Sequence, residues 1–233
     1  MNIMVHLLLV VTMVFFTGCG SSTEDGPEKG RAVFKLFNAR HVDDKMAVTV
    51  ENNASQLFSV SMDYAKEASK EADWTEGELW KITYSQDFDI VFDRITPSDT
   101  MKIILAVGDN LQQSSPIVFD GPEPKEIGSR QAAVKVVNAM RGDPQQHIND
   151  ELKLHINNKG DYESRLLSLG ESSEGWYLVS TGENSLVEVR DRRNNLQENT
   201  TYDILEGRAY VIVIYEESTA ANMPKVHFLD VTP

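Results

Sequence analysis

The residues able to do chemistry are few, and their spacing matches no common reaction. Four histidines follow the leader, His41, His147, His155 and His227, and none stands in the His-x-x-x-His or Glu-x-x-His spacing that brings ligands onto one zinc. Asp43-Asp44 and Asp143 fall in turns, without the alternating oxygen positions of a calcium loop. Gly170-Glu171-Ser172-Ser173-Glu174-Gly175 is serine-rich but lacks the Gly-x-Ser-x-Gly spacing of a nucleophile elbow, and no Gly-x-x-x-x-Gly-Lys phosphate loop occurs. With 36 Asp and Glu residues, paired carboxylates arise by chance. The sequence therefore assigns no catalytic residue, no metal ligand and no cofactor, and it points to a protein that is not an enzyme.

Three tryptophans offer another kind of chemistry, since flat rings suit the faces of pyranoses. Trp80 sits in an alternating strand pattern and reads as core. Trp74 and Trp176 stand beside polar, glycine-containing turns, and they are the candidates for exposed binding rings. Core packing remains the leading reading for both, being the commoner use of a large ring.

The lone cysteine is different. Leu7 to Phe16 is an apolar run broken only by Thr12, the length of a signal-peptide core and far short of the ~20 residues of a membrane-spanning helix. It ends in Thr17-Gly18-Cys19, which resembles the bacterial lipobox, where small residues precede a cysteine that becomes the lipidated first residue of the mature chain. A thiol has the nucleophilicity to take a diacylglyceryl chain. Two features depart from the pattern: Phe16 stands where Leu is commoner, and the start carries no Lys or Arg. Gly20 to Pro27 then has the composition of a flexible tether. In diderm bacteria Asp after the cysteine favours retention at the inner membrane, so Gly20 points to the outer membrane, with the domains periplasmic or surface-exposed.

The net charge of −14 lies wholly after the leader. An acidic surface repels nucleic acid and anionic lipid, whose binding depends on clustered Lys and Arg. Nucleic acid is thereby excluded as an expected partner. A single cysteine builds no disulfide framework, so the folded part must rely on its hydrophobic core.

The elements that position these residues begin with a repeat. Ala32-Val33-Phe34-Lys35-Leu36-Phe37-Asn38-Ala39 recurs as Ala132-Ala133-Val134-Lys135-Val136-Val137-Asn138-Ala139, which marks two copies of one unit. Both faces of this opening strand are partly apolar, as in a strand sandwiched inside a domain. Met46, Val48 and Val50 alternate next, answered by Leu152, Leu154 and Ile156; the extra residues of copy two fall in the intervening turn with Asp143-Pro144. Phe58 to Tyr64 alternates cleanly and finds a weaker counterpart in Arg165 to Leu169. Ala65 to Trp74, rich in Ala, Glu and Lys, reads as a connecting segment with one helical turn at most. Trp80, Ile82 and Tyr84 match Val187 and Val189, and Phe88 to Ile95 forms a further strand. The almost wholly apolar Met101–Val107 and Ala209–Tyr215 read as central strands. Ser115–Asp120 and Met223–Asp230 close the units, and Gly121 to Glu126 reads as a stiff linker between them.

About seven short strands per unit is the count of an immunoglobulin-like β-sandwich. Several motifs carry a family resemblance: Asn138-Ala139, Asp143-Pro144, Leu154-His155-Ile156-Asn157-Asn158 and Leu205-Glu206-Gly207-Arg208-Ala209-Tyr210-Val211-Ile212. In copy one the match runs through Asn38-Ala39 and Val48-Thr49-Val50-Glu51-Asn52, with Pro97-Ser98-Asp99-Thr100 replacing the glycine turn. The chain resembles the bacterial domain of unknown function 4397 family, found in tandem in exported proteins. Neither copy has that family's Ser-Pro-Asp-Ala-Pro turn. The resemblance implies a β-sandwich and export, and it carries no catalytic residues.

The expected organisation is a lipoprotein signal peptide over 1–18, a tether over 19–30, all-β sandwich domains over 31–121 and 130–233, and a linker over 122–129. The expected role is a non-catalytic envelope protein tied to the membrane through Cys19, acting in binding, adhesion or scaffolding toward an envelope protein or glycan. A carbohydrate- or ligand-binding accessory module is the alternative, and a periplasmic hydrolase is the weaker one.

Overall fold

The structure is a computed structural model, and it describes residues 27–40, 45–86, 89–107, 116–123, 127–140, 151–157, 162–216 and 223–233. Cys19, His41, His147, Asp43, Asp44 and Asp143 lie outside the described residues.

The described chain is all-β. The first half contains β1 (Lys29–Asn38), β2 (Met46–Glu51), β3 (Gln56–Met62), β4 (Lys66–Thr75), β5 (Trp80–Gln86), β6 (Asp89–Ile95), β7 (Lys102–Ala106) and β8 (Ile117–Asp120). They form two four-stranded sheets, ordered β4-β1-β7-β8 and β3-β2-β5-β6. The second half contains β9 (Gln131–Asn138), β10 (Glu151–Asn157), β11 (Tyr162–Glu163), β12 (Leu167–Ser168), β13 (Tyr177–Ser180), β14 (Gly182–Asp191), β15 (Leu196–Ile204), β16 (Ala209–Glu216) and β17 (Pro224–Asp230). Its sheets are ordered β13-β9-β16-β17 and β11-β10-β14-β15, with β12 also paired to β10. The two halves thus repeat one strand order, with the single strand β3 replaced by the short pair β11 and β12. That replacement accounts for the weak pattern over Arg165 to Leu169.

Ala65 to Trp74 departs from the sequence reading. It is no connector: β4 spans ten residues and pairs antiparallel with β1 from Lys29↔Thr75 to Asn38↔Lys66. Its Ala, Glu and Lys composition favours helix, but the ten-residue register with β1, whose Ala32, Phe34 and Leu36 are buried, overrides that preference. As an edge strand it carries Lys66, Glu67, Lys70, Glu71 and Asp73, charges that deter pairing with another chain.

Three apolar cores stack in series. Phe34 and Leu36 of β1 and Ile104 of β7 meet Val48, Val50, Trp80 and Ile82 inside the first half. Val134 and Val136 of β9 and Ile212 of β16 meet Leu154, Ile156, Val187 and Val189 inside the second. Between them Phe37, Ile103 and Leu105 pack on Ala133, Val137, Val211 and Val213. The molecule is therefore four sheets deep. The strands β7, β9 and β16 are buried on both faces over nearly their whole length, and β1 is so over residues 36–38, which is why apolar residues there follow one another instead of alternating. Among the described residues, parallel pairing is that of β1 with β7 and of β9 with β16, in the inner sheets. Gly121 and Pro122, in the segment joining the halves, are buried as well.

Candidate functional site

The repeated asparagines have a structural use. The Asn38 amide donates to the Met62 carbonyl at 3.0 Å while its Oδ1 accepts from the Arg40 amide at 3.0 Å. Asn138 repeats this with the Leu167 carbonyl at 2.9 Å and the Met140 amide at 3.2 Å. Each ties the end of an inner-sheet strand to the strand that enters the outer sheet.

The described histidines, His155 and His227, and the two candidate tryptophans are held in similar ways. His155 stands on the outer face of β10, its Nδ1 3.3 Å from Glu188, whose carboxylate also accepts two bonds from Arg190 Nη2 at 3.1 and 3.0 Å. Arg190 first, and His155 second, hold the Glu188 carboxyl below its ordinary range. His227 of β17 lies between the halves, stacked on Phe37 at 4.4 Å and 3.1 Å from Glu67 of β4. Trp74 is half-buried against the first core, and its indole N–H donates to Asp99 at 3.0 Å, alongside the Arg31 amide at 2.9 Å. Trp176 packs edge-on against Phe119 between the halves and donates to the Asp120 carbonyl at 3.3 Å. The structure thus places Trp74 and Trp176 in separate contact clusters. Among the described residues no group of three His, Cys, Asp or Glu is arranged to hold a metal ion.

Lys135, the repeated lysine of copy two, is buried between the halves. Its ammonium donates to the Ser173 carbonyl at 2.8 Å and lies 5.1 Å from the Phe119 ring centre, and burial lowers its pKa.

A cleft lies elsewhere among the described residues, at one end of the first outer sheet. Glu51 of β2 stands opposite Lys81 of β5, and Lys81 stands opposite Arg94 of β6, so the register sets three charged side chains in one cross-strand row. Asn52 closes one side. Its Oδ1 accepts from the amides of Ala54 and Ser55 at 3.0 and 2.9 Å, fixing the β2–β3 turn. Leu79 and Trp80 close the other. Gly77 takes a left-handed φ of 85° in the turn before them, and the Trp80 N–H is anchored to Glu78 at 2.7 Å. These residues, with Asn53, line a cleft of about 210 Å³.

The electrostatics of the cleft run against those of the chain. Two cations and one carboxylate meet there, in a protein of net charge −14. Lys81 pairs with Glu51 at 4.0 Å. Among the described residues the Arg94 guanidinium has no ion-pair or hydrogen-bond partner. Leu79 is an exposed apolar residue beside it. Sequence reading missed this site, because residues around 51, 80 and 94 converge only through sheet register; the solvent-facing Leu79 beside a core tryptophan was the one local signal.

No protein-family model matches the chain, and no curated protein does either. Among solved structures, the tip fimbrial protein Mfa3 from Porphyromonas gingivalis with a C-terminal truncation aligns at 8% identity and TM-score 0.28, covering 87% of this chain and 100% of that one. CBMbc, of family CBM26, from Eubacterium rectale Amy13K in complex with maltoheptaose aligns at 5% identity and TM-score 0.27, covering 85% of this chain and 96% of that one.

Proposed function

We propose that the protein is a non-catalytic, lipid-anchored module of the bacterial cell envelope whose work is binding, adhesion or scaffolding. The observation that supports this reading is the middle core. Phe37, Ile103 and Leu105 on one side, and Val137, Val211 and Val213 on the other, join the two sandwiches through their inner sheets. Both outer sheets then face solvent in a fixed relation, which suits contact with a large partner better than turnover of a small substrate. Among the described residues, the candidate histidines and tryptophans have structural partners: His155 with Glu188, His227 with Glu67, Trp74 with Asp99 and Trp176 with Asp120. Anchoring through Cys19 and likeness to the domain of unknown function 4397 family are part of the same reading.

Capture from an envelope extract with the full chain tests it. A specific envelope protein or glycan, retained after salt washing, is the expected outcome; turnover of a small molecule by purified protein overturns the reading. Labelled palmitate should be incorporated by the wild-type chain and lost in Cys19→Ser. A mature chain that starts elsewhere and carries no lipid removes the anchor from the reading.

A further inference from the structure

We propose that the cleft between Glu51, Asn52, Leu79, Lys81 and Arg94 binds an acidic sugar, a uronate unit, through its carboxylate. The proposal rests on the binding-module reading and names the ligand class for it. The argument begins with Arg94. A guanidinium presents a planar fork of donors matched to the two oxygens of a carboxylate, and such bidentate pairs are among the stronger hydrogen-bonded contacts. Arg94 stands exposed with that fork unengaged among the described residues, at the end of the row formed with Lys81 and Glu51. Lys81 adds a second cation on the same row, so an anion entering from Arg94 meets attraction across two strands.

The remaining lining selects among anions. Glu51 supplies a carboxylate, which disfavours a compact polyanion such as phosphate but accepts hydroxyl donors. The Asn53 side chain at the rim, and the Asn52 amide nitrogen left over from the turn, can meet ring hydroxyls. Leu79, 42% exposed, offers an apolar wall for the C–H face of a pyranose. The volume, about 210 Å³, is of the size of one sugar unit. A molecule with one carboxylate, several hydroxyls and one apolar face satisfies every side of the cleft, and a uronate is that molecule.

The test is titration of the full chain with glucuronate and galacturonate, using glucose and acetate as controls, followed by backbone amide NMR. Expected are shifts confined to residues near 51–53, 79–81 and 94, and a Kd for a uronate at least tenfold below that for glucose or acetate, a difference of about 1.4 kcal/mol. Arg94→Gln should weaken uronate binding about tenfold while leaving the rest of the amide spectrum in place, which separates loss of the ligand from loss of the fold. Leu79→Ser should weaken uronate more than acetate. Equal affinity for acetate and uronate overturns the sugar assignment, as does equal affinity for glucose. Shifts mapping to another surface, or no binding at millimolar ligand, overturn the site. Specific capture of an envelope partner by a chain that binds no uronate would leave the module reading standing while this inference fails.

Discussion

Asn38 and Asn138 occupy the same place in two half-molecules and make the same pair of bonds, an amide donated to a carbonyl (Met62 or Leu167) and an oxygen accepting a backbone N–H two residues on (Arg40 or Met140). Both side chains are fully buried. The repeat is thus a repeat of a join between sheets. Replacing either asparagine by Ala strands a buried carbonyl and a buried amide, a loss of about 1–3 kcal/mol. Denaturant titration should give similar losses for the two variants, since their surroundings are equivalent.

The left-handed position after each join differs in residue. Ala65 holds φ 52° where copy two has Gly170 at φ 74°, and their amides donate to the Asn38 and Asn138 carbonyls at 2.7 and 2.8 Å. A left-handed Cβ costs roughly 1–2 kcal/mol, so Gly170→Ala should destabilise by about 1 kcal/mol. Ala65→Gly should be close to neutral or slightly stabilising, because relief of strain is offset by the greater freedom of glycine in the unfolded chain. Thermal melts of the two single variants check the sign.

Gly30 is required for a different reason. A Cβ there would come within 1.9 Å of the Asp99 carboxylate and 2.6 Å of the Trp74 indole nitrogen. Gly30→Ala must displace Asp99, breaking its bonds with the Arg31 amide and the Trp74 N–H together. Expected is a loss of about 2 kcal/mol, of the order for breaking a bond to a charged group, with a red shift of tryptophan emission as Trp74 gains solvent. Unchanged emission would mean Trp74 is held by packing alone.

Phe37 reports on the contact between halves. It is buried, edge-on to Tyr215 at 5.8 Å and stacked on His227, both residues of the other half. Phe37→Ala should cost about 3–5 kcal/mol. In calorimetry the wild-type chain should melt in one transition, and the variant should resolve into two, because the truncation removes coupling as well as stability.

Acid should loosen the second outer sheet. Glu188 is held below the ordinary carboxylate range by Arg190 and then His155. Asp191 is pushed upward by burial, but bonds from Asn195 and the backbone amides of Asn195 and Arg193 outweigh this and leave it lowered too. Groups lowered on folding contribute stability that is present above their unfolded pKa and lost as pH falls through the folded one. Stability should therefore decline as pH drops below the ordinary carboxylate value of about 4. Asp191→Asn should flatten that decline, as followed by melts across the acid range.

Much of this fold was legible in the chain itself. Met46, Val48 and Val50, or Leu152, Leu154 and Ile156, show the alternation of strands with one face buried. Ile103–Ile104–Leu105 shows the opposite pattern, and correctly signals a strand covered on both sides. What covers the second face was not legible, because no local pattern says that Phe37 meets His227 across 190 positions of intervening fold. The strand β4 was hidden for a related reason: its composition is helical, and only its pairing with β1 makes it extended. The cleft was invisible because Glu51, Lys81 and Arg94 become neighbours only when three strands settle into register.

The placement of β1 also decides how the molecule answers a pull. Each half opens with a strand bonded on both sides, to β4 and β7 in the first half and to β13 and β16 in the second. Tension applied at the amino-terminal end runs along β1, so its hydrogen bonds to β4 and β7 are loaded in shear and share the force instead of opening one after another. The last strand, β17, is bonded to β16 at a sheet edge, and a sideways pull on it would peel those bonds in sequence. A chain held by its amino terminus is gripped at its mechanically stronger end.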